Sequence, residues 1–119
     1  MEKVIKTMLI MLFLDMIYLN LIAKSMYTEV VNNIQKSVIN VRILPAIITY
    51  LIMTFALYYF IISQNKSEND AFILGFVIYG VFDFTNMAIF ENYTLNVAII
   101  DTLWGSILFY LTTKLLNIF

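Results

Sequence analysis

Residues 43–62, "ILPAIITYLIMTFALYYFII", form an uninterrupted apolar stretch without a single charged side chain. A helix of this length rises about 30 Å, which is the thickness of the hydrocarbon core of a bilayer. Backbone polar groups cannot stay unpaired in lipid, so a spanning segment of this kind has to be helical. Pro45 falls in the first turn, where its missing N–H does little harm. The stretch therefore predicts a transmembrane helix.

Three further apolar runs have similar length, at residues 7–23, 71–90 and 95–116. The chain of 119 residues is 62% hydrophobic and only 13% charged, with a mean hydropathy of +0.89. A soluble domain is about 25% charged, so this chain has too little polar surface to cover a soluble globule. We expect a single all-α domain, an integral membrane four-helix bundle that spans the lipid bilayer several times.

The first run has features of a signal peptide, because Lys3 and Lys6 precede an apolar segment. Asp15 interrupts the middle of that segment, however, and the sequence after it makes a poor cleavage site. We interpret the run as a retained first span.

The connection after this span has an amphipathic pattern over about residues 25–39. Met26, Val30, Ile34 and Val38 recur every four residues among mostly polar neighbours. This pattern is typical of a helix that lies on the membrane surface. The alternative is that the apolar face packs against the end of the bundle, and the sequence does not distinguish the two.

The remaining connections are short and carry helix-capping residues. Ser67 and Asp70 have the spacing of a capping box for the third span, and Thr94 can cap the fourth. Four spans place both termini on one side of the membrane. A small excess of basic residues on that side predicts cytoplasmic termini; the residues compared are Lys3, Lys6, Lys66 and Lys114 against Lys24, Lys36 and Arg42.

Three acidic residues fall inside the spans, namely Asp15, Asp83 and Asp101. Asp83 lies about 10 Å and Asp101 about 9 Å from the same membrane face, so the two share one depth in neighbouring antiparallel helices. An ionised carboxylate at the bilayer centre costs about 2.5–3.5 kcal/mol. We therefore expect these groups to face inward and to share protons, meet a cation or accept hydrogen bonds.

Each of the three carboxylates shares its helix face with an aromatic residue, since residues three or four apart lie on one side of a helix. Gly105, on the face of Asp101, allows a neighbouring helix to approach closely. The sequence thus predicts an inward polar cluster as a ligand- or ion-binding site, made of Asp15, Tyr18, Tyr79, Asp83, Asn86, Asp101 and Trp104.

The amino-acid composition excludes several kinds of catalytic and metal-binding site. The chain has no cysteine and no histidine, which removes disulfides, thiolate ligands, and the commonest general base. We predict no cofactor and no metal centre. The net charge of −1 gives no electrostatic reason to expect nucleic acid as a partner.

Three functions are compatible with such a cluster. The first is a small transporter or channel component for protons, cations or a small polar solute; a chain this short favours a homo-oligomer in that case. The second is a membrane-embedded enzyme or accessory factor acting on lipid, with the carboxylates as acid and base. The third is a structural or assembly protein whose polar core only holds the helices together.

The motifs of the last two spans resemble those of a family of small four-span predicted membrane proteins, catalogued as a domain of unknown function. Its third span carries Y-D-L-T-N, which reads Phe82-Asp83-Phe84-Thr85-Asn86 here, and its fourth carries D-x-x-W-G, which is complete as Asp101, Trp104 and Gly105. Asp15, Tyr18 and Leu19 correspond to its D-x-x-W-L with Tyr for Trp, and Pro45 matches a proline at the start of the second span. The resemblance covers nearly the whole chain and implies four spans, without implying an established activity.

Overall fold

The computed structural model describes residues 1–36 and 42–119, and within these ranges the only regular secondary structure is helical. Four helical stretches are long and apolar enough to cross a membrane: Glu2–Gln35, Ile43–Ile62, Glu68–Ile89 and Leu95–Ile118. The individual helices are α1 (Glu2–Tyr18), α2 (Lys24–Gln35), α3 (Ile43–Leu57), α4 (Glu68–Ile89) and α5 (Leu95–Ile118), with single π-helical turns at Leu19–Ala23 and Tyr58–Ile62. The predicted all-α, four-span architecture is confirmed.

Large apolar side chains cover the outside of the bundle. Phe13, Phe55, Phe60 and Phe82 are each more than half exposed, and aliphatic residues between them are exposed as well. A soluble protein would hide such side chains, whereas lipid solvates them. The outer surface is thus the face that the bilayer covers.

The closest helix pair is α4 with α5, which a short loop joins. A Cβ added to Gly75 would collide with the backbone carbonyl of Gly105, and one added to Gly105 would collide with the ring of Tyr79. The two glycines therefore allow the backbones to touch, in the manner of small-residue contacts between membrane helices. Gly105 thus lies at the α4–α5 contact.

Helix α1 packs against both α5 and α3. Met11, Leu57, Leu108 and Phe109 are completely buried between these elements and form the centre of the apolar core. The Lys6 ammonium donates to the Phe119 carbonyl oxygen at 3.5 Å, so the two ends of the chain lie at the same end of the bundle. We call this the terminal end, and the end that carries the α4–α5 loop the loop end.

Helix α2 continues from α1 through the π-helical turn and packs on the loop end. Val30 is buried there against Tyr93, Val97 and Ala98. The apolar face of α2 thus packs against the end of the bundle, which is one of the two alternatives that the sequence leaves open. The last residues of the predicted surface helix, 37–39, lie outside the described residues, and its position relative to the lipid headgroups stays a prediction.

Both predicted caps are confirmed. The Ser67 hydroxyl accepts the Asp70 N–H at 3.1 Å at the start of α4. The Thr94 hydroxyl accepts the Val97 N–H at 3.3 Å at the start of α5. Each bond satisfies a backbone donor that a helix start would otherwise leave open.

The glycine contacts give a prediction with an internal control. Gly75→Ala should destabilise the protein by about 1–3 kcal/mol, because its methyl group forces α4 away from the α5 backbone. Gly80→Ala should be tolerated or stabilising, since its methyl would meet the Thr102 side chain at an ordinary 3.7 Å and alanine favours the helix. Thermal denaturation of both variants in detergent, followed by circular dichroism, tests this; equal melting temperatures would contradict the close α4–α5 contact.

Candidate functional site: three buried carboxylates with neutral donors

Asp83 on α4 is completely buried and accepts hydrogen bonds from three hydroxyl groups. The Tyr93 phenol donates to its Oδ1 at 2.6 Å, and the Tyr27 phenol donates to the same oxygen at 3.4 Å. The Thr102 hydroxyl donates to Oδ2 at 3.2 Å. The two phenol oxygens are themselves 3.1 Å apart, so α2, the α4–α5 loop and α5 all converge on one carboxylate.

Asp15 on α1 occupies a second position, toward the middle of the bundle. Its Oδ1 accepts the indole N–H of Trp104 on α5 at 2.9 Å, and its Oδ2 accepts the phenol of Tyr50 on α3. Only 7% of Asp15 is exposed. This carboxylate therefore ties together the three helices α1, α3 and α5.

Asp101 on α5 is the third buried carboxylate. Its Oδ1 accepts the Tyr18 phenol at 3.1 Å. The Tyr18 ring stacks on the Trp104 ring at 4.7 Å between centroids, with the planes 5° apart. Since Trp104 donates to Asp15, this stacked pair links the Asp101 position to the Asp15 position.

The register of these bonds gives the depth of each carboxylate. Asp83 bonds to Thr102, the neighbour of Asp101, so Asp83 and Asp101 share one depth as the sequence predicts. Asp15 lies at the level of Trp104, about one helical turn closer to the terminal end. Within residues 1–36 and 42–119, no group of three or more acidic side chains is arranged to hold a metal ion. The carboxylates form neighbouring positions along the bundle, and Asp101 also interacts with the Asp83 side chain and the Tyr27 phenol.

Tyr79 and Asn86 border these positions. The Tyr79 ring packs on Gly105 and meets the Phe109 ring edge to face at 6.5 Å. Asn86 is half-buried one turn beyond Asp83, and its side chain interacts with the Tyr93 phenol. Both therefore lie beside the carboxylates, and their participation in binding stays a prediction.

All the donors to the three carboxylates are neutral groups. Among the described residues, the one salt bridge joins Lys6 to Glu2 on the surface of α1, far from these positions. Burial raises the pKa of the Tyr93 phenol in the α4–α5 loop, and its bond to Asp83 raises it further. The phenol thus keeps its proton and remains a donor. Hydrogen bonds from phenol, indole and hydroxyl groups stabilise a carboxylate but leave its charge uncancelled.

Four donors were not anticipated from the sequence, which pointed to the acids, to Tyr18 and to Trp104. With no histidine in the chain and no basic residue near the depth of the acids, tyrosine is the main donor left to satisfy a buried acid. A search for tyrosines at the predicted depth of each acid would therefore identify these donors from the sequence. The missed residues are Tyr27, Tyr50, Tyr93 and Thr102.

The bond from Tyr93 to Asp83 is testable by a double-mutant cycle. Tyr93→Phe removes the shortest bond to Asp83 and should destabilise the protein by about 0.6–2 kcal/mol. Tyr59→Phe, on the exposed part of the second span, is the matched control and should have no effect. In Asp83→Asn, the same Tyr93→Phe change should cost less, because the charge-assisted bond is already gone. Additive losses of unfolding free energy in detergent would contradict the assignment.

The comparisons with known proteins return one family and no individual relative. No curated protein and no solved structure matches this chain. The model of the family described as "Predicted membrane protein (DUF2177)" matches residues 1–116, which include the first three spans, all but the last two residues of the fourth, and all three carboxylates. The chain therefore belongs to the DUF2177 family of predicted membrane proteins.

Proposed function

We propose that this multi-pass membrane protein is a small transporter or channel component in which the buried carboxylates bind and release a proton or a cation. One observation supports the proposal above all others. Asp15, Asp83 and Asp101 are each more than nine-tenths buried, and every donor that reaches them in the described part of the chain is neutral.

The energetic argument follows from charge balance. Three unneutralised charges at neighbouring depths would repel one another and would also lose their hydration in lipid. Neutral donors offset part of that cost but supply no positive charge. The neutralising positive charge must come from protons bound to the carboxylates or from a cation beside them. Either species has to enter and leave the site for its charge to change.

A purely structural network is the main competing explanation. Its hydrogen bonds would hold the bundle together whether or not the acids exchange a proton. Replacing an acid with its amide would then change stability alone. The two explanations differ in whether Asp→Asn variants that keep their fold lose an activity.

Lipid chemistry at the carboxylates has less support. A lateral groove of about 490 Å³ is lined by Phe72, Ile107, Tyr110 and Leu111, with Asn69 at its edge. It is apolar enough for an acyl chain, but Ile107, the lining residue on α5 nearest to Asp101, lies about 9 Å from it along the helix and on the exposed side, whereas the acids are buried. A lipid in this groove would be out of reach of the acids.

A homo-oligomer is the form in which we expect the protein to move anything larger than a proton. The bundle has cross-sectional extents of 24 × 22 Å, and Met11, Leu57 and Phe109 fill its centre without exposed surface. A hydrated ion or a polar solute has no room in such a core. Its path would have to run between copies of the chain.

Proton flux into liposomes tests the proposal. Purified protein is reconstituted with a pH-sensitive dye inside, and a potassium diffusion potential with valinomycin drives protons inward. Wild type should acidify the lumen faster than empty liposomes. Asp101→Asn and Asp83→Asn should reduce the protein-dependent rate by at least about tenfold, the effect of losing one proton-binding group.

Asp70→Asn is the matched control, since this acid is exposed at the start of α4, and it should behave as wild type. Circular dichroism and size-exclusion chromatography establish that each variant is folded. If folded Asp83 and Asp101 variants kept the wild-type rate, the proposal would fail. It would also fail if wild type carried no protons in this assay and no sodium or potassium ions in a parallel assay with an ion-selective dye and no valinomycin.

A further inference from the structure

Two buried hydroxyl groups lack the partner that the other buried hydroxyls have. Thr7, Ser106 and Thr113 each donate to the backbone carbonyl four residues earlier. Thr54 on α3 and Thr112 on α5 are 2% and 0% exposed, yet their hydroxyls have no hydrogen-bond partner among the described residues. A buried hydroxyl without a partner is costly, and ordered water is the usual explanation.

The helix register places these hydroxyls in sequence along the bundle axis. Asp15 is paired with Trp104 and Tyr18 with Asp101, so α1 and α5 are antiparallel at a constant offset. At the same offset, two turns closer to the terminal end, Thr7 on α1 lies level with Thr112 on α5. The bond from Tyr50 to Asp15 sets the level of α3, and Thr54 lies one turn, about 6 Å, from Tyr50 toward the terminal end.

A polar cleft lies at the terminal end of this series. The cleft has a volume of about 100 Å³ and includes Lys3, Asn65, Lys66, Thr113 and Asn117 in its lining. Thr113 follows Thr112 directly, so the cleft begins where the series of buried hydroxyls ends. A space of this size and polarity is large enough for several water molecules.

We infer that Thr54 and Thr112, together with Thr7 and Thr113, line a hydrated file that connects Asp15 with the cleft at the terminal end. This inference rests on the proposed function for what moves through the file. Water is the partner that the two unpaired hydroxyls lack. Since no water is available from the surrounding hydrocarbon, it has to enter from the cleft.

The width of the hydrated file determines which species can pass along it. Met11 and Leu108, both completely buried, pack in the core at the level of Thr54 and leave no room for a hydrated ion. A proton needs no such room, because it passes between oxygens: one O–H bond forms as the next one breaks, and the only net change is the displaced proton. The file therefore serves protons, which enter at the cleft and bind at the Asp15 carboxylate.

Valine substitutions test the file through proton flux. Valine has the shape of threonine without the hydroxyl, so Thr54→Val and Thr112→Val should leave the fold intact or stabilise it. The double variant should lower the liposome proton flux by about tenfold, the rate effect expected for a lost hydrogen-bonded step. Thr49→Val is the control, because this exposed hydroxyl bonds to its own helix at Pro45. Wild-type flux in the double variant, with Asp101→Asn inactive, would overturn the file and leave the proposed function standing.

Cysteine accessibility tests the same inference without any transport assay. The chain has no cysteine, so Thr54→Cys and Thr112→Cys each introduce a unique thiol. A small water-soluble methanethiosulfonate reagent should modify both thiols in reconstituted protein, Thr112→Cys the faster. Ala98→Cys, equally buried on α5 but at the loop end, should stay unmodified. If neither threonine position reacts faster than Ala98→Cys, the hydrated file is contradicted, whatever the flux results.

Discussion

A carboxyl group in the interior of a membrane protein has to find its hydrogen bonds within the protein, since hydrocarbon offers none. Here that requirement is met by groups from four helices and one loop of the described residues. Because each acid joins a different set of elements, the three acids together fix how the elements are arranged. The donors are Tyr18 on α1, Tyr27 on α2, Tyr50 on α3, Tyr93 in the α4–α5 loop, and Thr102 and Trp104 on α5.

The π-helical turn between α1 and α2 serves the same constraint. The π-helical turn Leu19–Ala23 begins directly after Tyr18, which bonds to Asp101. It leads into α2, whose Tyr27 reaches Asp83 and whose apolar side rests on the start of α5. Turns of this type are frequent at functional sites. Stability and proposed function thus depend on the same groups: the donors hold the bundle together and leave the charge of the acids uncancelled.

The fold follows from the sequence more completely than the site does. Span number, helical structure, both caps and the shared depth of Asp83 and Asp101 could be predicted, because length, composition and loop length determine them. The rotation of the second span about its axis could not, since a helix that is apolar all round presents no preferred face, and Tyr50 was missed for that reason. Tyr93 lies in a short loop, where sequence spacing does not show which way a side chain points. The sequence did not show whether α2 packs on the bundle or lies against lipid, because both surroundings are apolar.

The central claim is that these carboxylates carry a proton or hold a cation. Infrared spectroscopy of the protein in lipid measures it directly, since protonated and ionised carboxyl groups have separate bands. At neutral pH we expect a protonated-carboxyl band, or carboxylate bands that shift when sodium or potassium is exchanged for a large organic cation. Either signal should be lost when Asp15, Asp83 and Asp101 are replaced by asparagine. Carboxylate bands that change neither with pH near neutrality nor with the choice of cation would contradict the account.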